Sequence, residues 1–394
     1  MVTGVGALSC AGEGVPALWA AVRDGRTAYR TETHERSGSQ LPIGRIPDFR
    51  PSDHFDAGRM PLLDRTSQIA ILATREAILQ AGLPKETDKG RIACLIGSGG
   101  GAAHTQDEAS IAFHGLGKRR LHPLTIPKGM FSAVSSQVAM DQGLLGPNFT
   151  VSSACASSAH AIGEGFEMVA RGIANMAVVG GAEACLTPGY LTAWQGMHIL
   201  AQQACRPFSA NRDGLVLSEG AAILVLEDHE AAIGRGATIL AEVLGYGSSS
   251  DAGAITAPSA EGMARAMSAA MTRAAVHPAE VDAINAHGTG TEANDSCESA
   301  ALALTFGDRS ESIPVSGVKA VLGHALGAAA ALEAVTSVMT LQSGFLPPTA
   351  NHCEPDAGCP IDCVPNVGRS ADVDVVLSNS FAFGGLNATL VFGR

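Results

Sequence analysis

The chain has 394 residues, 46% hydrophobic and only 16% charged, with 38 acidic against 26 basic side chains and a net charge of −12. That composition excludes a disordered chain and makes nucleic acid a poor general partner. No apolar run reaches the length of a membrane span, and no basic stretch precedes an apolar core at the N-terminus, so the expectation is a cytoplasmic protein without membrane attachment.

Met1-Val-Thr-Gly-Val-Gly6 begins inside a strand-like run, an abrupt start that suggests further residues upstream. Residues 14–23 read as a helix, and the polar stretch to about residue 60 carries no usable periodicity. Residues 65–83 have apolar side chains at helical spacing, and 91–96 form a strand that runs into Gly97-Ser-Gly-Gly-Gly101. That glycine run lacks the Lys-Ser/Thr end of a phosphate loop and the spaced pattern of a dinucleotide site, so it reads as close packing or a pocket wall. Further helices are expected over 127–142 and 156–174, with strands over 148–153, 176–179 and 222–226; residues 205–214 form a turn-rich loop. The alternation predicts a parallel-rich sheet covered by helices on both faces.

The second part repeats this alternation: strands over 238–244, 281–285, 313–316, 373–377 and 388–392, and helices over 261–275, 294–306 and 324–341. The expectation is two similar α/β units in one body, 1–235 and 236–394, joined near 228–240 without a flexible linker.

Nine scattered cysteines, an odd number, do not form a disulfide framework and fit a reducing compartment. His352, Cys353, Cys359 and Cys363 lack the paired short spacings of a zinc site. Cys155 is different in position. It follows a β-favouring run and precedes a helix, where unpaired N–H groups and the helix dipole favour a thiolate. The alternative is a small buried hydrophobe. Three later motifs place polar groups at strand or turn boundaries: Asn285-Ala-His-Gly-Thr-Gly-Thr291, Val318-Lys-Ala-Val-Leu-Gly-His324 and Ser378-Asn-Ser-Phe-Ala-Phe-Gly-Gly385. Two histidines in such turns, beside Cys155, point to a site. The compact basic run Lys118-Arg119-Arg120 is either a solvated loop or a docking point for an acidic partner.

The ordered set of cysteine, His-Gly-Thr-x-Thr, Lys-x-x-x-Gly-His and Asn-Ser-Phe-x-Phe-Gly-Gly resembles the β-ketoacyl-acyl carrier protein synthases, most closely the synthase II branch shared by fatty-acid and polyketide ketosynthases. The resemblance covers essentially the whole chain. It implies an α/β thiolase-like fold, two pseudo-symmetric βαβαβαββ halves in an α-β-α-β-α body, and an acyltransferase that performs a decarboxylating Claisen condensation. Cys155 matches the nucleophile, His287 and His324 the pair that stabilises the enolate, and Lys319 the family lysine, whose charge orients that pair through neighbours such as Glu298, with Asp295 also supporting. The N–H groups of Cys155 and Phe383 match an oxyanion hole, with Phe381, Phe383 and Gly100 at the gate. Thr289 and Thr291 match contacts to the pantetheine arm, and Lys118, Arg119 and Arg120 a carrier-docking patch. Asn285, Glu333, Ser378 and Asn379 match a monovalent-cation site. No cofactor is implied beyond the phosphopantetheine of the acyl carrier protein, and the partner is a second copy or a chain-length-factor-like subunit.

Several residues depart from the family pattern. Gly100 replaces a bulkier gate residue and is expected to widen the pocket or remove that gate, the segment 197–206 is short, and Ser209 stands where an aspartate is common. These departures suggest a specialised polyketide or unusual fatty-acid pathway in place of housekeeping synthesis. A thiolase would need a second cysteine near Phe383-Gly-Gly, the synthase III branch would pair a histidine with an asparagine, and chain-length factors lack the cysteine.

Overall fold

The computed structural model describes residues 1–34 and 38–394. Continuous apolar runs mark strands covered on both faces. They account for four of the five main strands of the first sheet: β1 (Val2–Ser9), β2 (Ile92–Gly97), β3 (Asn148–Val151), β4 (Met176–Glu183) and β5 (Gly220–Glu227), of which all but β3 are buried along their whole length. With the short edge piece Gly12–Glu13 they make a six-stranded sheet in the order edge, β1, β5, β4, β2, β3. The second sheet contains β6 (Glu242–Ser250), β7 (Ala283–Asn285), β8 (Val315–Ser316), β9 (Val375–Ala382) and β10 (Leu386–Gly393), in the order β6, β10, β9, β7, β8. Place for place this is the order of the first sheet. The sense of each pairing repeats too: first with fifth and fourth with fifth antiparallel, second with fourth and second with third parallel. In each sheet four of the five main strands therefore run the same way and only the fifth, β5 or β10, is reversed, so the sheets are parallel-rich with one antiparallel strand among the main five.

Three helices also recur: α1 (Arg65–Ala81), α2 (Ala133–Gln142) and α3 (Ser157–Ala170) in the first part, α4 (Ala260–Ala274), α5 (Glu292–Phe306) and α6 (Ala329–Ser343) in the second. Helices α3 and α6 pack against each other and touch both sheets, giving the layer order α-β-α-β-α. Position explains composition here. Outer helix α4 buries one face, Met263, Ala266, Met267, Ala270 and Met271, whereas α6 is buried almost all round. Alanines 329–331 and 334 let α6 approach its neighbours closely, while Leu332, Val335 and Val338 each contribute about 1.5–3 kcal/mol by burial. On α3, a Cβ on Gly163 would lie 2.3 Å from the Tyr246 ring of β6, so only glycine fits at that approach.

The local differences from expectation have physical causes. The polar stretch after residue 23 holds the hairpin strands Arg30–Thr33 and Gln40–Gly44, missed because the first is mostly exposed and polar. Strand β6 runs on to Ser250, past the expected end at 244, since glycines 245 and 247 occupy two of its buried positions and give no apolar signal. The helix expected over 127–142 is split into Thr125–Gly129 and α2, and α6 begins only at Ala329. Residues 378–382 belong to β9, which leaves Phe383–Gly385 as the turn. Helices Ala103–Ser110, Pro188–Gln195 and His229–Gly234 were not anticipated. No described helix is long and apolar enough to cross a membrane.

Candidate active site

Between β3 and α3 the chain turns through Ala154, whose φ of +49° is the left-handed region a non-glycine residue seldom adopts. Ser157 holds that turn: its hydroxyl donates to Ala154 O at 2.6 Å and accepts from Ser153 N at 2.9 Å. Cys155 follows, buried, with its sulfur 3.0 Å from Nε2 of His324. His324 occupies the equivalent place in the second half, after β8 and before α6. Gly323, at φ +69°, delivers it through a space so tight that a Cβ would lie 2.9 Å from Val216 O. His324 N then donates to Val216 O at 2.6 Å, and its carbonyl accepts from Ser218 N at 3.0 Å, so the histidine backbone is clamped to the first half.

His287 follows β7. Its backbone N–H and that of Gly288 each donate at 2.8 Å to the carboxylate of Glu298 on α5, while Asp295, one turn earlier, accepts from Gly290 N and Phe208 N at 3.2 and 2.9 Å. These acids shape the histidine turn from behind. Burial pushes Glu298 up to about 7 against the pull of the Gly288 and His287 N–H groups, and burial likewise raises Asp295. The two imidazoles meet edge to face, centroids 5.5 Å apart at 86°. Lys319 Nζ donates to His287 O at 2.5 Å, lies 3.3 Å from His287 Nδ1 and pairs with Glu333. An ammonium has donors only, so Nδ1 accepts and Nε2 of His287 carries the hydrogen.

Burial, seconded by the Lys319 charge, holds both imidazoles well below the usual histidine range, and they are neutral. Burial also pushes the Cys155 thiol up to about 11 despite Lys319, which runs against the expectation of a helix-stabilised thiolate. Desolvation opposes the thiolate that Lys319 favours, and the sulfur lies beside His324.

Cys155, His287 and His324 open into a cleft of about 590 Å³ that Thr289, Thr291 and Phe381 also line. The threonine hydroxyls lie 2.8 Å apart, and Phe381 is buried with its ring 6.1 Å from His287. Phe383, 37% exposed, stacks on Trp194 with centroids 6.3 Å apart at 24°. Trp194, Leu215 and Asp251 were missed as lining residues because they lie on connections with no periodic signal. Asp251 accepts from Asn387 Nδ2 at 2.7 Å and Ser259 N at 3.1 Å, and its own N–H donates to Gly385 O at 3.0 Å, tying the cleft mouth to the Phe383 turn. Glu183 was legible in principle, as an acid inside an apolar glycine-rich strand. Buried, it accepts from the N–H groups of Gly99, Gly100 and Gly327 at 2.6, 3.0 and 3.0 Å.

Gly100 does not widen the pocket. A Cβ there would lie 2.3 Å from Cys185 Sγ and 3.1 Å from the Tyr190 hydroxyl, so neighbouring side chains fill the space a larger residue would take. Lys118, Arg119 and Arg120 are exposed on the loop after Ile111–Gly115. Of the four cation-site residues, Asn285 Oδ1 and Glu333 Oε2 are buried oxygens without a hydrogen-bond partner and fit a cation. Asn379 Oδ1 already accepts from Thr389, and Ser378 is buried on β9.

A duplicated α/β scaffold whose halves bring a thiol and two neutral imidazoles into one cleft is the architecture of a condensing acyltransferase. The chain belongs to the β-ketoacyl synthase family: the family's N-terminal domain matches residues 1–232 and its C-terminal domain residues 240–352. Over all of this chain and 98% of the relative, it is 42% identical to nodulation protein E of Rhizobium sp. (strain N33). It is 39% identical to 3-oxoacyl-[acyl-carrier-protein] synthase 2 of Staphylococcus aureus, with both chains covered completely. Among solved structures, the ishigamide ketosynthase/chain length factor matches with a TM-score of 0.95 at 36% identity, covering 100% of this chain and 98% of that one. The thiolase-like fold and the condensing activity expected from the motifs are both met.

Proposed function

We propose that Cys155 takes an acyl chain from the phosphopantetheine of an acyl carrier protein and that His287 and His324 drive its condensation with a malonyl thioester. The observation that carries this reading is the contact between Cys155 and His324, faced by a second imidazole whose tautomer Lys319 fixes. In the first half-reaction His324 relays the thiol proton to the departing pantetheine sulfur as sulfur attacks the acyl carbonyl, exchanging one thioester for another. In the second, the malonyl carboxylate leaves as carbon dioxide and its electron pair enters the thioester as an enolate. The N–H of His287 stabilises the developing oxyanion, and His324 joins it when, with the thiol acylated, its hydrogen shifts from Nδ1 to Nε2 through solvent. The carbanion attacks the Cys155 thioester, a C–C bond replaces the C–S bond, and the released thiolate takes one proton from solvent. The N–H groups of Cys155 and Phe383 are the proposed oxyanion hole, Phe381 and Phe383 the gate, and Thr289 and Thr291 the contacts to pantetheine.

Each half, 1–235 and 236–394, contributes one side of this site. Exposed Lys118, Arg119 and Arg120 suit the acidic carrier. A monovalent cation held by Asn285 Oδ1 and Glu333 Oε2 would satisfy the carboxylate oxygen that the Lys319 pair leaves unbonded. The outer edge of β3 and the exposed Leu116, Ile126, Met140 and Leu145 suit a second subunit, either a second copy or a chain-length-factor-like partner. The likeness to nodulation protein E and to the ishigamide ketosynthase supports a specialised pathway, and the composition supports a cytoplasmic setting.

The test is intact-mass analysis after incubation with acyl carrier protein. Wild type should gain one acyl group and Cys155→Ala none, a rate loss of at least about 10³-fold. Acylation that persists in the variant overturns the assignment.

A further inference from the structure

Cys155 Sγ and one nitrogen from each of His287 and His324 lie within 4.8 Å of one another, all three residues buried. One sulfur and two imidazoles, with a cleft on the fourth side, are a ligand set that zinc and similar borderline cations take in sites that keep an open position. Ligand atoms around zinc sit about 3.5 Å apart, so a closure of about 1 Å would complete the cage. Yet the condensation proposed above needs all three groups free.

Lys319 stands against occupancy. Nδ1 of His287 faces its ammonium at 3.3 Å, and Nε2 is the nitrogen left for the cleft. We propose that Lys319 keeps this cage free of metal: by donating to Nδ1 it keeps the hydrogen on Nε2, so His287 has no lone pair to offer, and its charge repels an incoming cation. Binding would require the Cys155 thiol to lose its proton to solvent, the His287 hydrogen to pass to Nδ1, and Lys319 to surrender that contact. The balance is one cation bound and one proton released. Without Lys319, Nδ1 can carry the hydrogen and the cage closes.

The test is titration with Co²⁺ alone, read by the thiolate-to-cobalt absorption band, followed by displacement with Zn²⁺. Lys319→Met should bind one Co²⁺ per chain with that band and take Zn²⁺ about 10- to 100-fold more tightly than wild type, the range over which groups behind metal ligands act. Lys319→Met with Glu333→Gln preserves charge balance and should behave alike if the single variant fails to fold. Adding Cys155→Ala should abolish the band. Equal Zn²⁺ affinity in wild type and both Lys319 variants, no band in either variant, or a band that survives Cys155→Ala would each overturn the proposal. The inference deepens the functional reading above, but its readout needs no acyl substrate, so either can fail alone.

Discussion

The two halves share a strand order and place their third helix in the same layer, yet the same slot does different work in each. Where β3 meets α3 the first half has Cys155; where β8 leads towards α6 the second has His324. The repeat brings equivalent slots face to face across the middle layer, which is why residues 169 apart in sequence sit 3.0 Å apart. The connections break the equivalence. Between β9 and β10 the second half needs only Phe383–Gly385, whereas between β4 and β5 the first half makes an excursion over residues 184–219. That excursion supplies Trp194 and Leu215 to the cleft and Val216 and Ser218 to the His324 clamp. Repetition sets the distances, and unequal loops set the chemistry.

Separating the contributions of the halves gives the largest expected effect. His287→Ala and His324→Ala should still acylate Cys155, within about tenfold for His287, but lose about 10²- to 10⁴-fold in malonyl decarboxylation, measured as carbon dioxide release. Full release by either variant would remove that histidine from the pair. The next test is whether the middle-layer helices are equivalent in packing. Ile162 on α3 and Leu332 on α6 are both buried, and truncating either to alanine should cost about 2–5 kcal/mol in denaturant unfolding. A clear inequality would mean that one half dominates the core.

A pH test asks how far the α3 terminus activates its thiol. Because burial holds Cys155 up to about 11, it stays protonated below that value, and alkylation by iodoacetamide should climb about tenfold per pH unit between about 7 and 9. A plateau below about pH 8 would mean that the thiolate is already formed. Least in size, Arg119→Glu with Arg120→Glu should raise KM for a carrier-bound substrate about three- to tenfold and leave kcat and a free pantetheine thioester unaffected. An equal loss with the free thioester would assign the pair a structural role.

Most of this framework was legible in the chain because its signals are local. Buried strands read as apolar runs, α4 and α5 as helical spacing, and Cys155, His287 and His324 as polar groups at junctions. The missing parts were those whose cause lies elsewhere in the molecule. Lys319 fixes the His287 tautomer only because Glu333 and the His287 carbonyl orient its ammonium. Gly100 looked like an opened gate, and only the positions of Cys185 and Tyr190 reveal a filled space. Trp194 and Asp251 carry no periodicity because their work is done against a distant turn.

The close approach of α3 to β6 at Gly163 and Tyr246 limits how this enzyme can be re-engineered. It fixes how closely α3 lies on the second sheet, and with the buried alanines of α6 it leaves little room for larger side chains in the middle layer. Redesign of substrate choice is therefore confined to the unequal connections, the 184–219 excursion and the Phe383 turn. There, library diversity can be spent without disturbing the spacing that brings Cys155 to His324.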